Sequence, residues 1–236
     1  MLSPWGRVVA ISALLVVGGI LVLAIASVAS TEQVRPTFVV EGTLEGLTFD
    51  VADSDIVVVG GGRRDSVEVR RDERYAFGHR PRVEKLPRAG TFGLRSRCPT
   101  AVLGPCSVSY RILVPDNVPL EIRTSSGDVW LRGYRGSATV TTGEGAIDIS
   151  GYCGNALDAR ASSGTVTVQA ACAPPRMILR TASGDVRAVM PAGRYDLDAE
   201  TSSGDAVVRG IIARPDAPYS VQVLSGTGDV SVEGRS

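Results

Sequence analysis

Lysine and histidine are almost missing from this chain: of its 25 basic residues only Lys85 is lysine, and His79 is the single histidine. The arginine bias fits a GC-rich genome rather than a chemical need. A lone histidine among arginines has no second histidine to complete a metal site, so it reads as a solvent-facing side chain. Net charge is missing too, because the basic residues meet 25 acidic ones. A general nucleic-acid binder needs a dominant basic surface, so that class is set aside. The four cysteines, Cys98, Cys106, Cys153 and Cys172, contain no C-x-x-C pair, which argues against zinc. No cofactor is expected. With 44% hydrophobic residues over 236 positions the chain can build one or two domains with a real core, and composition names no function.

What is present in abundance is a repeated phrase. Thr124-Ser-Ser-Gly-Asp-Val129 returns as Thr142-Gly-Glu-Gly-Ala-Ile147, Ala161-Ser-Ser-Gly-Thr-Val166, Thr181-Ala-Ser-Gly-Asp-Val186, Thr201-Ser-Ser-Gly-Asp-Ala206 and Ser225-Gly-Thr-Gly-Asp-Val230. Its glycines, Gly127, Gly145, Gly164, Gly184, Gly204 and Gly228, are 18, 19, 20, 20 and 24 residues apart, the period of stacked solenoid coils. In every copy the positions 7 and 5 before the glycine and 2 and 4 after it are apolar, as in Leu120, Ile122, Val129 and Leu131. The interleaved positions are mostly polar. That alternation is the period of strands with one buried face, so each repeat reads as strand, tight turn, strand. Coils stacked at roughly 4.8 Å share one core that no single hairpin could bury. Glycine supplies the positive φ of the turn, and Ser, Thr and Asp are expected to bond back to the turn's own backbone. The residue three before each glycine, Thr124 in the first copy, is expected to form a hydroxyl ladder.

Taken in order, residues 1–30 read as a cytoplasmic stub and a transmembrane anchor. Val8 to Ala29 is uncharged for 22 residues, enough to cross a hydrocarbon core of roughly 30 Å, and Arg7 before it places the N-terminus in the cytoplasm. The alternative is a signal peptide cleaved near Ser27-Val28-Ala29, giving a secreted protein. Residues 31–46 are a linker and first strand, and 47–236 a β-solenoid domain. Leu47, Phe49, Val51, Ile56 and Val58 repeat the register without the glycine, as an atypical terminal coil would. The expected fold is all-β: a short single-stack β-solenoid of about seven coils, two short strands per coil, behind one N-terminal helix.

The stretch 60–97 breaks the pattern and carries a net charge of +6. It reads as a solvated insertion, with a short strand about Val67 and Val69. The sharper reading makes Arg63, Arg64, Arg70, Arg71 and Arg74 a contact for anionic lipid or wall polymer. Strand alternation resumes at Val108, Tyr110, Ile112 and Val114. Cys153 and Cys172 each lie eight residues after their repeat glycine, so stacking brings them into disulfide range. Cys98 and Cys106 are the remaining pair.

The Ser-Ser-Gly-Asp-Val turns and the strand Ser109-Tyr-Arg-Ile-Leu-Val-Pro115, within Leu47 to about Glu233, make the chain resemble the bacterial putative-adhesin family, a domain of unknown function behind a membrane anchor. That resemblance implies a β-solenoid with no catalytic residues to carry over. It is similar to domains linked to envelope-stress sensing, which implies an extracytoplasmic, membrane-tethered interaction or scaffold module with an unknown envelope partner. The competing expectation is a carbohydrate-active enzyme, with Asp185, Asp198, Glu200 and Asp205 supplying carboxylates roughly 5 to 10 Å apart on one solenoid face.

Overall fold

The computed structural model describes residues 12–22, 24, 30–88, 90–99 and 105–235. The alternation becomes strands on either side of each repeat glycine, a unit here called a rung. Leu120–Ser126 and Val129–Arg132 flank Gly127; Ala138–Glu144 and Ile147–Tyr152 flank Gly145; Ala156–Ser163 and Val166–Ala170 flank Gly164. Arg176–Ser183 and Val186–Pro191 flank Gly184, Arg194–Ser203 and Ala206–Arg209 flank Gly204, and Ser220–Thr227 and Val230–Arg235 flank Gly228. Strands before the glycines join a 10-stranded sheet and strands after them an 11-stranded sheet. Equivalent residues stack in parallel: Val129 beside Ile147, Ile147 beside Val166, Val166 beside Val186. The fold is an all-β solenoid with its core between the two sheets.

The repeat register holds in the core. Every apolar position of the repeats is buried except those of the Gly204 rung, where Leu197 and Ala199 are half-buried and Ala206 and Val208 exposed. The reason is an order of stacking that differs from the order of the chain. Ser220–Thr227 lies between Arg176–Ser183 and Arg194–Ser203, and Val230–Arg235 lies between Val186–Pro191 and Ala206–Arg209. The Gly228 rung is therefore interior and the Gly204 rung forms the tail of the stack. The long step before Gly228 carries the chain back one layer.

At the other end, the head, two expectations change. The rung of Gly46–Val51 and Ser54–Gly62, which lacks the turn glycine, buries Leu47, Phe49, Val51, Ile56 and Val58 and turns at Asp53 with φ 50°. It is not terminal, because Cys106–Pro115 and Thr91–Arg97 pair beyond it. Nor is 60–97 a solvated loop. Ser66–Tyr75 runs antiparallel to Cys106–Pro115, and Arg82–Arg88 antiparallel to Thr91–Arg97. Val67, Val69, Tyr75, Phe92 and Leu94 are buried there, an alternation that the intervening arginines conceal. Glu32–Val34 and Thr37–Glu41 add antiparallel strands against Ser66–Tyr75.

The expected membrane anchor is corrected. Residues 12–22 are helical among those the structure describes. Among the described residues no helix is long and apolar enough to cross a membrane, so the single-pass placement in the cell membrane is not supported. The rest of the Val8 to Ala29 run lies outside the described residues.

Candidate functional site: the outer face at the head

The repeated turn is occupied by its own architecture. The six repeat glycines have φ between 129° and 140°, and a Cβ at Gly145 would be driven into the Gly127 carbonyl oxygen of the rung beneath. The aspartate after the glycine bonds the neighbouring rung rather than its own turn. Asp128 Oδ1 accepts the Ala146 N–H at 2.8 Å, and Asp229 Oδ1 accepts the Asp205 N–H at 2.9 Å. The hydroxyl ladder is present: Thr181 Oγ1 donates to the Gly164 carbonyl at 3.0 Å and the Ser183 carbonyl at 3.1 Å, and Ser225 Oγ to the Gly184 carbonyl at 2.8 Å.

The five arginines singled out in the sequence do not converge. Arg63 and Arg64 sit exposed in the turn before Ser66–Tyr75, with Arg63 3.7 Å from Asp65. Arg71 turns inward, pairs with Glu73 at 2.9 Å and leaves 17% of its side chain exposed. Arg74 lies beside Asp72 at the rim of the outer sheet face, and Arg70 stands within that face, 2.7 Å from Glu68. His79 is half-buried with Nδ1 shielded from solvent rather than solvent-facing.

Strand pairing instead gives Arg70 a different company. Arg70 stands opposite Arg111, Arg111 beside Val57, and Val57 beside Trp130. In the next row Glu68 stands opposite Leu113, Leu113 beside Val59, and Val59 beside Arg132. The result is an outward strip of Val57, Val59, Leu113 and Trp130 crossed by Arg70, Arg111 and Arg132. Leu113 is 37% exposed, and Val39 at the edge of the strip 54%. Facing arginines repel unless an anion lies near, and Glu68 serves only Arg70. Among the described residues none of the ion pairs uses Arg111 or Arg132. An open groove of about 550 Å³ runs past Arg35, Thr37, Val57, Arg70 and Arg111. At its border the hydrogen bond from Gln33, and then Arg35, hold the Asp72 carboxyl below the usual carboxylate range. The sequence signal for this site was the failure of alternation at Val57-Val58-Val59 and Ile112-Leu113-Val114, where outward positions are apolar.

The four carboxylates of the enzyme reading occupy two separate places. Asp185 and Asp205 belong to the turn ridge with Asp229 between them, whereas Asp198, which accepts a bond from Gln222, and Glu200 lie on the outer face of the other sheet. Both cysteine pairs are disulfides, Cys153–Cys172 with Cα atoms 5.1 Å apart and Cys98–Cys106 with 5.9 Å. Sequence reasoning missed the tyrosines beside them. Tyr152 is buried and donates to the carbonyls of Gly136 at 2.9 Å and Ala156 at 2.6 Å, and Tyr134, seven residues after its own glycine, donates to Val118. Burial pushes both phenols well above their ordinary range.

The strand pairings define a parallel two-sheet β-solenoid with an antiparallel head. The chain belongs to the Toastrack DUF4097 family, which matches residues 116–233. A putative cell adhesion protein from Clostridium sporogenes shares the fold, with a TM-score of 0.51, 12% identity, and coverage of 86% of this chain and 100% of that one. A putative adhesin from Bacteroides fragilis aligns at 0.40 and 9% identity over 86% and 97% of the two chains. A putative lipid binding protein from Parabacteroides distasonis aligns at 0.37 and 9% over 83% and 96%. No curated protein matches the sequence.

Proposed function

We propose that this chain is an extracytoplasmic, non-catalytic adhesin-like module that binds an anionic surface polymer with the outer face at its head. The observation that carries this reading is the facing pair Arg70 and Arg111 beside Trp130 and Val57. Guanidinium groups on an apolar strip suit phosphate or carboxylate groups carried on a polymer with some apolar surface, because arginine forks such anions and its stem packs on apolar neighbours. Work outside the cytoplasm is supported by the pairing of all four cysteines in disulfides, which persist in oxidising compartments. Such contact would serve adhesion or envelope-stress sensing alike.

The test is direct binding of the full-length protein to an acidic polysaccharide and, in a second arm, to anionic phospholipid vesicles. Binding should be measurable at low salt and fade as the Debye length falls below about 10 Å. Absence of binding to both at low salt would refute the reading.

A further inference from the structure

The two ends of the solenoid differ in closure and in charge. At the tail, 196–203 and Ala206–Arg209 each have, among the described residues, a neighbouring strand on one side only, and Ile212–Ala213 covers just Arg194 and Tyr195. The core is open there, with Ala206 exposed, Val208 42% and Ile212 60% exposed. A solenoid end needs a cap, and an unpaired edge is a template for another strand. The tail edge of the 10-stranded sheet carries Asp196, Asp198 and Glu200 against Arg194, a net of −2. At the head, the opposite edge of the same sheet is Arg82–Arg88, which carries Arg82, Lys85 and Arg88 against Glu84, a net of +2. Leu86 is exposed on that strand, and the half-buried Phe38, Val40 and Val83 line the head of the core.

We infer that the tail of one molecule docks on the head of a second copy, sheet edge to sheet edge, so that the chain assembles head to tail. Two tails do not suit each other. A two-fold arrangement would run 194–203 against itself and face Asp196, Asp198 and Glu200 with their own copies, which like charges oppose. Acid edge against basic edge is favourable, and the two apolar ends continue one core across the joint. Because the two surfaces are different, the contact is heterologous and continues past a dimer, into a ring or an open filament. This goes beyond the binding role above, since the joint uses the ends of the stack and leaves the Arg70–Arg111 face free.

The experiment is sedimentation velocity of the full-length protein in a non-ionic detergent, over a concentration series at low and high salt. Mass should grow past the dimer with concentration and fall at high salt, whereas association through detergent-shielded apolar surface would not weaken with salt. Asp196→Arg with Glu200→Arg, and separately Arg82→Glu with Arg88→Glu, should each associate roughly tenfold more weakly with unchanged circular dichroism. Mixing the two variants should restore growth, because each then offers the other a complementary end. A monomer at every concentration, a dimer that stops growing, or growth indifferent to salt would overturn the proposal. Should a reversed variant fail to fold, the salt dependence of the unmodified protein decides it.

Discussion

Asp185 Oδ1 accepts the backbone N–H of Asp229 at 2.8 Å although the two are 44 residues apart in sequence, with the Gly204 repeat between them. This bond records the stacking order, in which the last repeat of the chain is an interior layer. A chain ending at Pro218 should therefore lose a middle layer and its cooperative melt. In a sequentially stacked solenoid the same deletion would only shorten the rod. Thermal unfolding followed by circular dichroism distinguishes the two, and a sharp melt close to that of the full chain would contradict the order seen here.

Two glycine replacements separate turn conformation from stacking. Gly133 has φ 61° with open space around its missing Cβ, so Gly133→Ala should cost about 1 to 2 kcal/mol. Gly145 has φ 135° and lies on the Gly127 carbonyl, so Gly145→Ala should cost more than about 3 kcal/mol. Urea unfolding measures both, and equal costs would mean that carbonyl stacking does not constrain the turn.

The tyrosines give a pH dependence. A phenol whose folded pKa is raised contributes its full stability below its unfolded value, about 10, and that stability is lost as pH climbs toward the folded value. Tyr134 and Tyr152 should therefore resist ionisation until the domain unfolds in alkali. Absorbance at the phenolate band, followed with pH, should show a late cooperative step. Tyr152→Phe leaves the Gly136 and Ala156 carbonyls without that donor and should cost about 1 to 3 kcal/mol.

Reduction should weaken the fold chiefly through Cys153–Cys172. That bond closes a separation of 19 residues against 8 for Cys98–Cys106, and a loop of such length is worth about 3 kcal/mol by chain entropy. Guanidinium midpoints of Cys153→Ala/Cys172→Ala and Cys98→Ala/Cys106→Ala should fall in that order. The reverse order would indicate that the head disulfide holds the stack together.

The repeats were legible because six rungs write the same two-residue alternation beside a glycine whose positive φ and close carbonyl neighbour disfavour a side chain. Cys153 and Cys172 followed from that register. The layer order was not legible, since Leu197 and Val221 are both apolar and only three-dimensional pairing shows which rung is outermost. At the head, the buried Val67, Val69, Phe92 and Leu94 are interleaved with arginines, and composition masked the period. The candidate site was half legible. Arg70 stood out by charge, but Arg111 and Arg132 lie on other strands and meet it only through pairing across the sheet.

The most direct test of the binding account compares two sets of arginines of equal size in the full-length protein. Arg70→Ser/Arg111→Ser/Arg132→Ser removes the outer-face cluster, and Arg63→Ser/Arg64→Ser/Arg74→Ser removes exposed charge from the turn and the rim. Binding of an acidic polysaccharide at low salt should fall at least tenfold in the first variant and change less than about threefold in the second, because diffuse charge is worth less than charge gathered on one face. Equal losses in both variants, or a loss confined to the second, would contradict the assignment of the outer face as the binding site.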